Sequence, residues 1–158
     1  MTRIAIIGAG LSGLTAAQFL KDFADITIFD KSRGTGGRMA TRRAAPYSFD
    51  HGTQFFTAKS EAFQSFINPL INAGVIVRWV ARFAQIEINK ITSQSIWSGE
   101  HPHYVGTPSM NTIGKYLSRE LNIKLNTRIA KIKKTSEWQL WDDKNKSQGS
   151  YDLSLIHI

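Results

Sequence analysis

Cysteine is absent from the chain, so neither a disulfide framework nor a thiolate metal site can hold it together. No apolar run approaches the roughly 18 residues that a membrane-spanning helix needs. The first such run, Ile4-Ala5-Ile6-Ile7, stops at Gly8, too short for the hydrophobic stretch of a secretory signal. The expected compartment is the cytoplasm, with no membrane partner. No serine, histidine and carboxylate pattern supports a hydrolase, and neither an internal repeat nor a low-complexity segment is evident. Acidic residues are scarce, 12 against 20 basic ones, for a net charge of +8. What is present is an ordinary globular composition, 42 % hydrophobic over 158 residues. That is too apolar for disorder, and a chain of this length buries about 70 % of its unfolded surface. One domain is expected, or one domain and part of another.

The excess basic charge falls in two groups. Lys31, Arg33, Arg38, Arg42 and Arg43 lie beside a glycine-rich stretch. Lys124, Arg128, Lys131, Lys133 and Lys134 are interleaved with Ile123, Leu125, Ile129 and Ile132. That near-alternation is the pattern of a strand with one wet face, so it is read as a solvated surface, with no nucleic-acid partner.

The opening residues read as a β-α-β unit. Ile4 to Ile7 is a continuous apolar run, as in a strand buried on both faces of a parallel sheet. A helix is expected from Leu11 to about Phe23, and a second strand over Ile26-Thr27-Ile28-Phe29. Residues 31–58 show no clear periodicity. Ser60 is a plausible helix cap; Phe63, Phe66, Ile67, Leu70 and Ile71 then share one helical face, with Pro69 placed to kink or end that helix. Residues 75–104 look like antiparallel strands. Thr107 and Pro108 are expected to cap and start a helix carrying Met110, Ile113, Leu117 and Leu121. Ile123 to Ile132 and Trp138 to Trp141 read as a strand pair.

The chemistry begins at Gly8-Ala9-Gly10-Leu11-Ser12-Gly13. This is G-x-G-x-x-G after a strand and opening a helix: the first glycine permits the turn, the second lets backbone approach a pyrophosphate, the third lets helix and strand pack closely. The helix N-terminus adds free N–H groups and a partial positive charge. Asp30 ends the next strand at about the 20-residue spacing of the carboxylate that binds an adenosine ribose. The pattern predicts a dinucleotide and leaves NAD and FAD both open.

Gly36-Gly37-Arg38, followed by Met39-Ala40-Thr41, resembles the flavin-dependent amine oxidase superfamily, in which a second glycine pair and an arginine close over the FAD pyrophosphate. Arg38 would be the fork-shaped phosphate partner. Residues 31–43, 49–57 (Phe49-Asp50-His51-Gly52-Thr53-Gln54-Phe55-Phe56-Thr57) and 104–111 resemble its renalase-like branch. The resemblance implies an α/β, Rossmann-like FAD-binding domain with part of an inserted antiparallel substrate domain. It implies FAD as cofactor, with Gly8, Gly10, Ser12, Gly13, Asp30, Lys31, Gly36, Gly37, Arg38, Gln54, Phe55 and Ile129 in its site, and Asp50-x-Gly52-x-Gln54-Phe55 bringing a carboxamide and a ring towards the flavin. Thr127-Arg128-Ile129 resembles the strand whose backbone meets the adenine. The implied activity is hydride transfer from a dihydropyridine nucleotide or an amine to flavin, with oxygen as acceptor. The alternatives are a truncated, inactive FAD- or ADP-binding fragment and an NAD(P)-binding module, the latter disfavoured by Gly36-Gly37-Arg38.

The corresponding division is residues 1–74 and 105–152 for the FAD-binding domain and 75–104 for partial substrate-domain strands. Residues 153–158 are expected to be a non-native tail, since they match one translation of a transposase end sequence used as a sequencing adapter. The last strand would then be cut, with unpaired backbone groups and poor solubility. His101-Pro102-His103 offers two imidazoles without further ligands, so no metal is expected. His51 is weighed as a proton carrier against a packing or hydrogen-bonding role, and Trp79, Trp97, Trp138 and Trp141 as substrate-stacking residues against core or sheet-face ones. No catalytic residue is assigned, and the partner expected is a small-molecule substrate.

Overall fold

A computed structural model describes residues 1–97 and 102–156. The chain divides into two compact units, Met1–Ala40 with Gly114–Ile158, and Thr41–Ile113.

The first unit is built on a parallel sheet. Strand β1 (Thr2–Ile7) leads into helix α1 (Leu11–Leu20) and strand β2 (Ala24–Phe29). Ile4, Ala5 and Ile6 of β1 and Ile26, Ile28 and Phe29 of β2 are buried, which is why these strands read as apolar runs rather than as alternations. The buried side of α1 is Gly13, Leu14 and Ala17; two of the three are small enough to let the helix lie close to the sheet. The helix stops at Leu20 rather than Phe23, where the Phe23 N–H bonds back to the Leu20 carbonyl in a turn. Strand β10 (Asn122–Lys124) joins the other side of β2, and β14 (Leu153–Ile156) joins β1, giving the order β10-β2-β1-β14 with every pairing parallel.

The strand expected to be cut after Leu153 runs on as β14 and pairs along one edge with β1. Leu153 to Ile156 run in register with Ile4 to Ile7, because the free edge of β1 offers a row of backbone donors and acceptors that an apolar, strand-forming segment satisfies.

Three further strands, β11 (Ile129–Lys134), β12 (Trp138–Asp142) and β13 (Ser147–Tyr151), form an antiparallel sheet in the order β11-β12-β13. Ala5, Phe29, Leu140 and Tyr151 make one buried cluster joining the two sheets, flanked by Ile7, Ile129, Ile132 and Trp138. Phe29 and Tyr151 meet edge-to-face at 6.0 Å. The single strand expected from Ile123 to Ile132 is two strands in different sheets. Asn126 takes φ +52° between them, a left-handed conformation that Asn tolerates and a continuous strand does not.

The second unit contains the hairpin β3 (Thr41–Ala44) with β4 (Tyr47–Asp50), the sheet β5-β9-β6 from Phe56–Thr57, His103–Gly106 and Ile76–Arg78, and the hairpin β7 (Arg82–Glu87) with β8 (Lys90–Ile96). Helix α2 (Glu61–Asn72) is capped by Ser60, whose hydroxyl accepts from the Phe63 N–H. It buries Ile67 and Leu70. Pro69 does not end it: the helix runs on to Asn72, and the Pro69 carbonyl accepts from the Ala73 N–H at 3.0 Å. Helix α3 (Asn111–Leu117) begins after, not at, Thr107-Pro108. Its leading amides are met instead by side chains of the β3–β4 hairpin. Met110 N–H donates to Asp50 Oδ2 at 3.1 Å and Asn111 N–H to Thr41 Oγ1 at 3.4 Å, while the Thr41 hydroxyl donates to Asp50 Oδ1.

Candidate functional site

At the carboxyl end of the parallel sheet, Gly8 takes φ +112° and its N–H donates to the Phe29 carbonyl at 2.8 Å. A Cβ on Gly13 would collide with the Gly8 carbonyl oxygen, and one on Gly10 would meet nothing within 4 Å. The two glycines therefore serve different ends: Gly13 lets the helix close on the turn, and Gly10 leaves an open approach. Gly10 caps α1 without a side-chain hydrogen bond. The first-turn amides thus remain available to an anion, with the helix dipole behind them. Ser12 lies exposed in that turn.

Asp30 does more than the spacing argument assigned to it. Its Oδ2 accepts from the Ala9 N–H at 2.6 Å and its Oδ1 from the Ser32 N–H at 2.7 Å, so the carboxylate ties the glycine loop to the end of β2. An ionised carboxylate offers about four acceptor positions, leaving capacity on both oxygens for ribose hydroxyls.

The second glycine loop docks on the first. The Gly36 N–H donates to the Ala9 carbonyl at 2.8 Å, and Gly10 and Gly36 form an isolated parallel bridge. Gly36 and Gly37 take φ +110° and +56°, conformations for which glycine is the default residue. A Cβ on Gly37 would stand 3.1 Å from the Gly10 Cα. Arg38 follows, exposed, within a short 3-10 turn (Gly37–Met39).

The stretch that returns between β10 and β11 completes the arrangement. The Asp30 N–H donates to the Lys124 carbonyl, the Thr127 N–H to the Asp30 carbonyl and the Asn126 N–H to the Ser32 carbonyl, all at 2.9–3.0 Å. These bonds set Thr127, Arg128 and Ile129 beside Ile7, Gly8, Phe29, Asp30 and Lys31 around a cavity of about 240 Å³. That is below the roughly 300–1,000 Å³ of a pocket that engulfs a drug-sized ligand, and suits the adenosine end of a dinucleotide better than the whole of it.

Gln54 and Phe55 belong to the second unit and are exposed there. Phe55 lies 5.1 Å from both Trp97 and His103 and 5.8 Å from Trp79, and Trp97 stacks on His103 at 3.7 Å. Trp79 and Trp97 are thus members of a ring cluster. Asp50 accepts from the Met110 N–H ahead of α3 and from the Thr41 hydroxyl. His51 is exposed, so it is not packed in a core. His101 lies outside the described residues, and among those described no group of three metal-ligating side chains occurs. Trp138 and Trp141 carry Lys134 and Lys131 over their rings at 5.1 and 5.2 Å, which explains part of the basic alternation on β11 as sheet-face packing. Sequence reasoning missed Gly114, which is packed against Gly36; a glycine inside a helical pattern was the available signal.

Residues 6–70 match the family model of the NAD(P)-binding Rossmann-like domain. The fold is α/β and Rossmann-like. Over its length the chain superposes on solved structures. One, from Exiguobacterium sp. 255-15 and assigned as a protoporphyrinogen oxidase, gives a TM-score of 0.72 at 12 % identity, covering 99 % of this chain and 59 % of that one. The tetracycline destructase Tet(55) gives 0.69 at 13 % identity, covering 99 % and 38 %. In sequence, a stretch of 59 residues is 37 % identical to coproporphyrinogen III oxidase of Staphylococcus aureus (strain NCTC 8325 / PS 47), covering 35 % of this chain and 13 % of that protein. A stretch of 51 residues is 41 % identical to the 4,4'-diapophytoene desaturase of S. aureus (strain Newman), covering 32 % and 10 %. The likeness to an NAD(P)-binding Rossmann-like domain thus lies in residues 6–70, and the likeness to the solved structures is one of fold. The chain spans well under two thirds of the length of these relatives. Among the described residues no helix is long and apolar enough to cross a membrane.

Proposed function

We propose that this chain supplies the FAD-binding part of an FAD-dependent oxidoreductase, with the ADP half of the cofactor held by the first unit. The observation that carries the reading is the cavity in which Asp30, Lys31 and the 127–129 stretch meet beside Gly8. The residues fit the group: a Cβ at Gly10 would fill the open approach at the α1 N-terminus, where a pyrophosphate meets free amides. Asp30 offers its remaining acceptor positions to the ribose. Lys31 and Arg128 bring positive charge, and Arg38, on a loop docked to Gly10, is a fork-shaped partner for phosphate oxygens. The loop of Gly36-Gly37-Arg38 favours FAD over NAD. When bound, FAD supplies two-electron redox chemistry; the chain's own part is to bind and orient it. The renalase-like motifs support the finer reading, oxidation of a dihydropyridine nucleotide or an amine.

The test is titration of the purified protein with FAD, ADP and NADH. Stoichiometric FAD binding with competition by ADP is expected. Asp30→Ala should weaken FAD by about 10- to 150-fold, the equivalent of losing charge-assisted bonds worth roughly 1.5–3 kcal/mol. Tight NADH binding without uptake of flavin would sink the reading.

A further inference from the structure

Helix α3 contains glycine at position 114, the poorest helix former apart from proline. In this structure a Cβ added there would lie 2.6 Å from the Gly36 Cα, 2.9 Å from the Gly36 N and 3.2 Å from the Thr35 carbonyl carbon. All three are backbone atoms, so no side chain can swing aside to make room. The loop that would have to move is the one whose Gly36 N–H bonds to the Ala9 carbonyl and whose Gly37 stands against Gly10. It is therefore clamped: Gly10 meets it at Gly37, and Gly114 meets it at Gly36. Neither neighbour contributes a side chain.

We propose that Gly114 is a positioning residue of the dinucleotide site. By permitting backbone contact with Gly36, it sets the seat of Gly36-Gly37-Arg38 on the first glycine loop, and so the place where a pyrophosphate is received. The inference rests on the reading that an ADP-containing cofactor binds there. The two demands on position 114 have opposite signs. Alanine is the better helix former, so helix propensity alone predicts a more stable protein with unchanged binding. The backbone clamp predicts a displaced loop and weaker binding.

The experiment compares wild type, Gly114→Ala and Lys115→Ala, the last an exposed site on the same helix. Affinities for FAD and for ADP are measured by flavin fluorescence and calorimetry, well below each protein's melting temperature. Gly114→Ala should weaken both ligands about tenfold, the equivalent of one lost phosphate hydrogen bond, and Lys115→Ala should leave them unchanged. Exchange of the Gly36 amide should speed up in Gly114→Ala. A folded Gly114→Ala that binds as wild type does, or with higher melting temperature and unchanged affinity, would overturn the proposal while leaving the cofactor reading intact. Should Gly114→Ala fail to fold, the wild-type protein still decides. ADP should slow amide exchange at Gly36 and around Gly114 together, and protection at Gly36 without α3 would overturn the clamp. A wild-type protein that binds neither FAD nor ADP removes the cofactor reading and the inference with it.

Discussion

The two units spend their apolar residues differently. In Met1–Ala40 with Gly114–Ile158, strands β1 and β2 of the parallel sheet are buried on consecutive residues, and Phe29, Ile28 and Leu140 have no exposure at all. In Thr41–Ile113, every residue of β7 and β8 is exposed, with Ile86 at 67 % and Ile88, in the turn between them, at 97 %. Phenylalanine makes the contrast chemically clean: Phe29 is fully buried and Phe83 is 45 % exposed. The first unit builds its own core and hangs a binding loop on it. The second buries Ile67, Leu70, Ile76 and Met110 but leaves the β7–β8 hairpin without a buried residue.

That difference sets the first prediction. Phe29→Ala removes a ring packed against Tyr151 and Leu140 and should cost about 3–5 kcal/mol. Phe83→Ala deletes the same atoms where water already reaches them and loses a ring contact with Trp97 at 6.2 Å, for which about 1 kcal/mol or less is expected. Urea denaturation of the pair measures both. Equal losses would break the comparison.

Asp50 sharpens it from the side of the second unit. Its carboxylate joins three parts of that unit by accepting from Thr41 and from the Met110 amide ahead of α3. Asp50→Ala leaves a half-buried amide and hydroxyl without their acceptor and should cost about 1–3 kcal/mol. FAD affinity measured alongside separates this structural role from the flavin-facing role implied for the Asp50-x-Gly52-x-Gln54-Phe55 motif. A loss of binding with no loss of stability would restore the latter.

Legibility followed the same division. The β-α-β unit was readable because its demands are on backbone, and backbone demands select residue types: glycine at Gly8 and Gly13, apolar runs in buried strands, a carboxylate at Asp30. What Asp30 does to Ala9 and Ser32 was not readable, since spacing places a carboxylate but not its partners. The break at Asn126 was hidden by an alternation that looks the same in one strand or two. Asp50 entered only as the first residue of a motif, with no role of its own; the fold has it accept from the Met110 N–H, 60 residues away, a pairing that no local spacing announces. Gly114 was passed over within a helical stripe, although a mid-helix glycine is itself a sign of close approach.

The smallest predicted effect lies in the first unit, in the β12–β13 turn. Asp142 has its carboxyl held below the ordinary aspartate value of about 3.9. The cause, first of all, is the Lys146 backbone N–H that it accepts, with the Lys144 N–H, the Gln148 amide and the charge of Lys144 adding to it against partial desolvation. A carboxylate whose folded value is depressed stabilises the fold above its unfolded value, and that contribution is lost as pH falls through the folded value. The turn should therefore hold unchanged through neutral and mildly acidic pH and loosen only below about pH 4. Asp142→Asn removes the titration and keeps an acceptor oxygen. The two proteins should therefore differ in melting temperature at pH 6 and converge towards pH 2. The difference should be slight because the group is open to water, where such bonds are worth little. A gap that stays constant over that range would show that the turn is held by its backbone bonds and not by the charge.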